Sequence, residues 1–530
     1  MKKLILLIIA TVCSFTANAE SKNGIVYVKS GGAGTGASWS DAMGNIQSAI
    51  NLAATDYHAR KDVWVASGEY TISAAIILAD SVNVYGGFAG AETTVSERLK
   101  TGVTAWGFTN ATVLKGNNQR LMEMKTAFDM ETVIDGFTFT GGNGTGTQLN
   151  NSGGAIAMRY NAVIQNCIIK GNTTTGNGGG INMTGGTLQN CYIADNTGGV
   201  GGGIYSNPAA STTSNILNCV IENNKATSTT GGGAVRAQGT AHSYLRNLVI
   251  INNQAQNGST YNPGGAISFN SINCHISNSV IANNAGSNAL YLNGGEVSNT
   301  TIVNNIGGVY AASTTLAINL VNNAVWGCVT TDGTTATGIS GTGSKAVIAN
   351  NNATYTSIPT AYTAAGNIAL PSNNTNGEVD GVMGPDFIKV TSFKGATTDA
   401  ALIEEIRAAN WGLKTGSPLI DKGTTISEIT NDIAGTTRPQ GSTYDIGAYE
   451  YTSTPGTGIS NNTTNDKVKM YVDGNKVYIT NASGTKAEVF NLLGQLIETI
   501  KSGDQSFTFN QPGTYIVKCG NFVKKILITL

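Results

Sequence analysis

The heptapeptide Asn166-Cys167-Ile168-Ile169-Lys170-Gly171-Asn172 decides the fold, because the chain repeats its plan. It returns as Asn190-Cys191-Tyr192-Ile193-Ala194-Asp195-Asn196, and further copies open at Asn218, Asn247, Asn278 and Asn299. These close on Asn224, Asn253, Asn284 and Asn305, and a seventh copy opens at Asn322 without a closing Asn. The openings stand 24, 28, 29, 31, 21 and 23 residues apart, the period of a solenoid. Just after each opening, small or branched apolar residues alternate with variable ones: Cys167 and Ile169, Cys191 and Ile193, Cys219 and Ile221, Leu248 and Ile250. The next position is free to be Lys170, Ala194, Glu222, Ile251 or Ala282. That alternation is a strand with one buried face, and the crowd of Gly, Asn and Thr around it opposes a helix. A Gly-Gly and an apolar pair precede most copies, as in Gly153-Gly154-Ala155-Ile156 and Gly202-Gly203-Ile204-Tyr205.

One strand per copy cannot close a core, so copies stack, each strand pairing with its equivalent about 4.8 Å above. The opening and closing Asn residues then form two columns at the corners flanking the strand. Their amides bond along the columns, and Asn tolerates the left-handed backbone a corner needs. The fold expected is all-β: a right-handed parallel β-helix solenoid with an N-terminal helical cap, followed by a small C-terminal antiparallel β-sandwich domain. A disordered low-complexity tract would not keep apolar residues in register with two Asn columns.

Charged residues make up 12% of the chain and the net charge is −1, so a nucleic-acid partner, which wants a clustered basic face, is not expected. Lys2-Lys3, the apolar run Leu4 to Val12 and Ala17-Asn18-Ala19 read as a secretory leader cleaved between Ala19 and Glu20. Beyond it no apolar run is long enough for a membrane helix. Cys167, Cys191 and Cys219 share one inward column, where parallel side chains suit neither a disulfide nor a tetrahedral metal site; buried free thiols are expected.

Residues 1–19 are thus a leader, 20–115 a cap with the first coils, 116–451 the solenoid with a closing module, 452–465 a linker and 466–530 a β module. Ser40-Asp41 is expected to cap a helix with Ile46, Ala49, Ile50 and Ala53 on one face. Strands are expected at Ile25–Val28, Val63–Ala66 and Val82–Tyr85, and Phe137 and Phe139 point inward. In the β module, strands are expected around Met470 to Val472, Val477 to Thr480, Ala487 to Asn491, Phe507 to Phe509, Tyr515 to Cys519 and Lys525 to Leu530.

The Gly-Gly-Ala-Ile and Asn-x-x-Ile-x-x-Asn units resemble pectate-lyase-like β-helices, particularly the repeats of polymorphic outer membrane proteins. The stretch Ser417-Pro418-Leu419-Ile420-Asp421, through Arg438-Pro439, to Asp445-Ile446-Gly447-Ala448-Tyr449-Glu450 is similar to the choice-of-anchor Q module. Val489 to Gln495, Pro512 to Val517 and Lys524 to Ile528 resemble a type IX secretion sorting domain of the Bacteroidota, although Met470-Tyr471-Val472-Asp473-Gly474 stands where that family often has Tyr-Pro-Asn-Pro. The resemblances imply export, display at the cell surface or release from it, and secretion machinery as a partner of residues 466–530.

Catalysis on such a rod needs acids and bases on one outward face. Between Gly136 and Thr331 the only acids are Asp195, Glu222 and Glu296. Asp195 and Glu222, with Lys170 and Arg159 from preceding coils, form the best catalytic group, and solvated loop charges explain it more simply. His242 and His275 read as isolated surface or corner residues. No cofactor is expected, and no metal. Asp421, Asp445 and Glu450 are the one place where Ca²⁺ is weighed, against a structural role. The function expected is non-catalytic adhesion or glycan binding at the surface, with a polysaccharide lyase or glycosidase, its site in loops such as Asn253 to Asn262, as the alternative.

Overall fold

The computed structural model describes residues 24–55, 61–102, 104–145, 152–256, 264–343, 347–354, 356–370 and 384–452. In the C-terminal unit it describes residues 469–473, 476–480, 486–491, 496–500, 505–509, 513–519 and 522–528. The Ala19/Glu20 cleavage point, nearly all of the linker and much of the Asn253–Asn262 loop lie outside the described residues.

Each coil carries three strands where the repeat advertised one. In a single coil Ile156–Met158, Ala162–Gln165 and Ile168–Lys170 follow one another. Stacking builds three parallel sheets: the first, through Ala162–Gln165, has 13 strands, the second, through Ile168–Lys170, has 12, and the third, through Ile156–Met158, has 10. Register holds from coil to coil. Ile169 lies opposite Ile193, and the column continues through Ile221, Ile250, Ile281 and Ile302 to Val325, all fully buried. Each such side chain contributes about 1.5–3 kcal/mol by leaving water, and the continuous core runs from Val26 to Tyr362.

The cap helix, α1 (Ile46–Ala53), buries Ile46, Ala49, Ile50 and Ala53 against the strands Ile25–Val28 and Lys61–Ala66. Its cap is Asn45, whose side chain accepts the Ser48 N–H at 2.8 Å, and not Ser40-Asp41. Those two belong to a separate short turn, Trp39–Asp41, capped by Ser38. An extended Asn immediately before the apolar face outcompetes a Ser-Asp pair several residues upstream.

Amides bond along both Asn columns, in the opening one from Asn247 to Asn218, Asn278 to Asn247 and Asn322 to Asn299, but the two columns differ in backbone and burial. The opening residues Asn166, Asn190, Asn218, Asn247, Asn278, Asn299 and Asn322 are left-handed, with φ between 45° and 57°. At the other corner the left-handed residue is the one before the closing Asn: Asp195, Asn223, Asn252, Asn283 and Asn304. The closing residues Asn172, Asn196, Asn224, Asn253, Asn284 and Asn305 instead turn inward, at most 1% exposed. Asn196 is typical. Its Nδ2 donates to Asn224 Oδ1 at 2.9 Å and to Ile169 O at 2.9 Å, while its Oδ1 accepts from the N–H and Nδ2 of Asn172. A buried amide is satisfied on both sides. After Asn305 the column passes to the Cys328 thiol, 3.7 Å from Asn305 Nδ2.

Cys167, Cys191 and Cys219 are buried free thiols, as are Cys274 and Cys328. Farther along, the column the first three begin changes chemistry, through Leu248, Ser279 and Thr300 to Asn323 and Asn352, which form a second amide ladder at 2.9 Å.

The segment 384–452 does not plug the end of the rod. It folds back over the outer face of the second sheet and makes a second core, where Ile251, Val280, Ala282, Val303, Ala324 and Trp326 meet Phe387, Ile406, Trp411, Leu413, Leu419 and Ile446. Helix α2 (Ala400–Arg407) belongs to this strap. Corner amides clip the strap down. Asn283 and Asn304 donate to Phe393 O and Thr391 O, Asn322 donates to Thr424 O at 2.7 Å, and Asn252 and Thr397 exchange two bonds.

The C-terminal unit is a pair of antiparallel sheets of three and four strands, closed around Val477, Ile479, Val489, Phe509, Tyr515 and Val517. Leu496–Ile500 adds a strand to the six expected.

Candidate functional site

The expected acids lie on the second sheet, partly beneath the strap. Lys170, Ala194 and Glu222 occupy one outward column, so Lys170 and Glu222 stand two coils, about 10 Å, apart. Asp195 is exposed at the corner and accepts a short bond from Asn223 Nδ2. Glu222 is 3% exposed and already engaged: its carboxylate accepts from Tyr192 Oη at 2.9 Å and from Arg407 Nε at 2.8 Å. Burial and the neighbouring Glu222 charge hold the Tyr192 phenol protonated, well above its ordinary range, while Trp106 stacks on its ring at 5.8 Å. The structure does not bring Arg159 to this group. It follows a third-sheet strand and donates from Nε to Met124 O at 3.0 Å. Glu222 is therefore the anchor of the strap, and the solvated-charge explanation does not describe it.

The closing module's acids are also engaged. Arg438 and Glu450 form a fully buried pair at 2.8 Å. Asp445 accepts the Asp421 N–H at 2.7 Å, Asp421 accepts the Thr443 N–H at 3.0 Å, and Asp432 accepts three backbone N–H groups. A Ca²⁺ ion needs six to eight oxygens, and these are turned to amides and to Arg438 instead. Among the described residues no group of three or more His, Cys, Asp or Glu is placed to hold a metal.

On the outer side of the first sheet the structure assembles residues that the sequence left apart. The strands Ser243–Arg246, Cys274–Ser277 and Gly295–Ser298 are neighbours, with Tyr244 opposite His275 and His275 opposite Glu296. The first and third residues of these strands, such as Cys274 and Ile276, go into the core, so Tyr244, Arg246, His275 and Glu296 go out. His242, just before the first of these strands, reaches the same patch. Its Nδ1 lies 3.0 Å from His275 Nε2, and with ring centroids 5.2 Å apart the imidazoles meet end to end. His275 Nδ1 lies 3.8 Å from Glu296. Tyr244 stacks beside both imidazoles, at 5.4 Å from His242 and 5.0 Å from His275, and Arg246 lies over its ring at 4.9 Å. The His275 side chain beside Glu296 holds its carboxyl below the usual range, against the opposing effect of burial. Either imidazole can donate in the His242–His275 contact, according to which ring nitrogen carries the proton.

Sequence reading missed this patch because the first-sheet strands are only four residues long, and the inward positions of several are Ser or Cys. The available signal was the spacing: His242 and His275 are 33 residues apart, close to one turn of the rod.

No family model and no curated protein matches the chain. Among solved structures, the crystal structure of pectate lyase Pel9A aligns at 16% identity over 82% of this chain and 98% of its own, with a TM-score of 0.45. The structure of the PL6 family alginate lyase AlyGC aligns at 13% identity over 71% and 57%, with a TM-score of 0.32. Neither alignment bears on the chemistry of this chain.

Proposed function

We propose that this chain is an exported, non-catalytic β-helix protein of the bacterial surface that binds glycan on the outer face of its first sheet. The observation that carries the reading is the Tyr244, Arg246, His275 and Glu296 patch, set outward on the first sheet while the chain's own strap covers part of the second. Aromatic rings with a few fixed hydrogen-bonding groups are what sugar recognition needs. The C-terminal unit would serve type IX export and attachment, and the leader would deliver the chain to that route. A glycan array with the mature protein should give binders that the Tyr244→Ala and Arg246→Ala variants lose. An array blank for wild type would overturn the reading. Protease treatment of intact cells should degrade the rod, and full protection would count against surface display.

One observation favours a second reading, a polysaccharide lyase. Glu296, His275 and His242 adjoin on this face, with Arg246 over the neighbouring Tyr244 ring, and a neutral imidazole there would be able to take a proton α to a sugar carboxylate. Release of unsaturated uronate ends, followed by ultraviolet absorbance and abolished in His242→Ala, would establish it.

A further inference from the structure

Four arginines of the described chain are paired with carboxylates. Arg98 meets Asp135 at 2.9 Å, Arg120 meets Glu123 at 2.5 Å, Arg407 meets Glu222 at 2.7 Å and Arg438 meets Glu450 at 2.8 Å. Arg236, like Arg159 and Arg246, forms no ion pair with a carboxylate among the described residues, and of these three it alone buries a guanidinium nitrogen without a partner. It lies on the third-sheet strand Val235–Ala237, facing outward, with Tyr205 opposite on the preceding coil and Ser268 on the following one. The column continues through Tyr291 and Tyr310, whose rings are near-parallel at 6.0 Å.

The guanidinium is only partly satisfied. Nη1 donates to Thr230 O at 3.0 Å and to Ser268 Oγ at 2.6 Å, whereas Nε is buried without a partner. Burial pulls its pKa down, and the groups that oppose this are Tyr205, Cys274 and Tyr291, none of them an acid. The rod offers no remedy. Asp195, Glu222 and Glu296, the only acids between Gly136 and Thr331, stand on or beside the other two sheets, and the stretch from Gln254 to Gly264 contains none. A half-buried cation without a counter-charge is costly, and an external anion would relieve that cost.

We infer that the Tyr205–Arg236–Ser268–Tyr291–Tyr310 column binds an acidic glycan, with a carboxylate or sulfate set against Arg236 and the adjoining sugars packed along Tyr291 and Tyr310. The coil spacing gives the column one side chain about every 4.8 Å, a ladder along which an extended sugar chain can lie parallel to the rod. The guanidinium fork supplies charge-assisted bonds that an ammonium cannot reproduce in the same geometry. This site shares with the first-sheet patch the premise of a sugar ligand, but no residue.

Titration calorimetry on the mature chain tests it with four probes: a uronate oligosaccharide, a sulfated oligosaccharide, a neutral oligosaccharide of equal length and inorganic sulfate. One or both acidic oligosaccharides should bind more tightly than the neutral one, and added salt should weaken them. Arg236→Gln should raise their Kd about tenfold or more, and Arg236→Lys should recover only part of the loss. Tyr291→Ala should weaken them several-fold, while Tyr244→Ala leaves them unchanged. Which acidic probe wins names the acid group. If Arg236→Gln proves unstable, inorganic sulfate should still raise the melting temperature of wild type more than that of Arg236→Lys. Equal binding of acidic and neutral probes, or acidic binding indifferent to Arg236, overturns the inference without touching the first-sheet reading. Loss on Tyr244→Ala alone would move the acidic ligand to the other face.

Discussion

Arg407 reaches across 185 residues of sequence to hold Glu222, with Nε at 2.8 Å and Nη2 at 2.7 Å from the same carboxylate oxygen. The carboxylate is 3% exposed and the guanidinium 43%, so one partner depends on the other far more than the reverse. Arg407→Met should therefore strip a buried charge of its partner and loosen the strap, at about 1–2 kcal/mol once the exposed half of the arginine is discounted. Limited proteolysis within 384–452 should accelerate. The double variant with Glu222→Gln should be cut more slowly than Arg407→Met alone, because it leaves no orphaned carboxylate.

Asn224 sits in the middle of the inner ladder, bonded to Asn253 above and to Asn196 and Ile193 below. Asn224→Ala would leave unmade the bonds of at least two buried groups. A loss of about 2–4 kcal/mol in a denaturant titration is expected. The corner change Asn218→Ala, at an exposed position with φ of 53°, should cost less, about 1–2 kcal/mol, mostly as left-handed backbone strain.

Burial pushes the Asp445 carboxyl up to about 6, against the opposing pull of the Tyr451 and Asp421 N–H groups. Its folded pKa exceeds the unfolded value of about 3.9, so the folded state holds the proton more tightly. This group thus favours folding fully below about pH 4 and progressively loses that contribution as pH rises through about 6. Asp432 is shifted in the same direction by burial. Melting temperatures of wild type and Asp445→Asn, compared at pH 5 and pH 7, should show wild type gaining relative to the variant on acidification. A gap independent of pH would sink the assignment.

The thiols give a chemical readout of the core. Burial raises Cys191 well above its ordinary value, with the neighbouring Cys167 and Cys219 adding to it, and pushes Cys274 to about 12 and Cys328 to about 11. Native protein treated with an alkylating agent at mild alkaline pH should leave Cys167, Cys191, Cys219, Cys274 and Cys328 unmodified by peptide mass, and all five should react after denaturation.

The rod was legible because its period is carried by residues with one structural job. Ile169 and its equivalents point inward in every coil, and an Asn at each corner has few substitutes. The cap was placed but its capping residue was not, since Ser40-Asp41 and Asn45 are both good caps and only the packing of Ile46 chooses between them. Within the repeat the first-sheet strands escaped notice because Ser214 and Ser243 hold inward positions that hydropathy assigns to the surface; Ser243 finds a hydroxyl partner in Ser206 at 2.9 Å. The strap's docking was invisible for another reason. Ile251, Ala282 and Val303 fill a position that Lys170 shows to be tolerant, and apolar residues there signal a cover only once the cover is seen. The first-sheet patch combined both difficulties, with His242, His275 and Glu296 each alone in its own coil.

Every amide of the inner ladder faces the same way, donating toward the C-terminal neighbour and accepting from the N-terminal one. Any coil can consequently be excised or duplicated whole, and the severed bonds rejoin with identical partners. The span from Asn172 to Asn196, 24 residues, is one such cassette. Lengthening this rod therefore requires no new chemistry, and its length can drift by whole turns while each face keeps its own pattern.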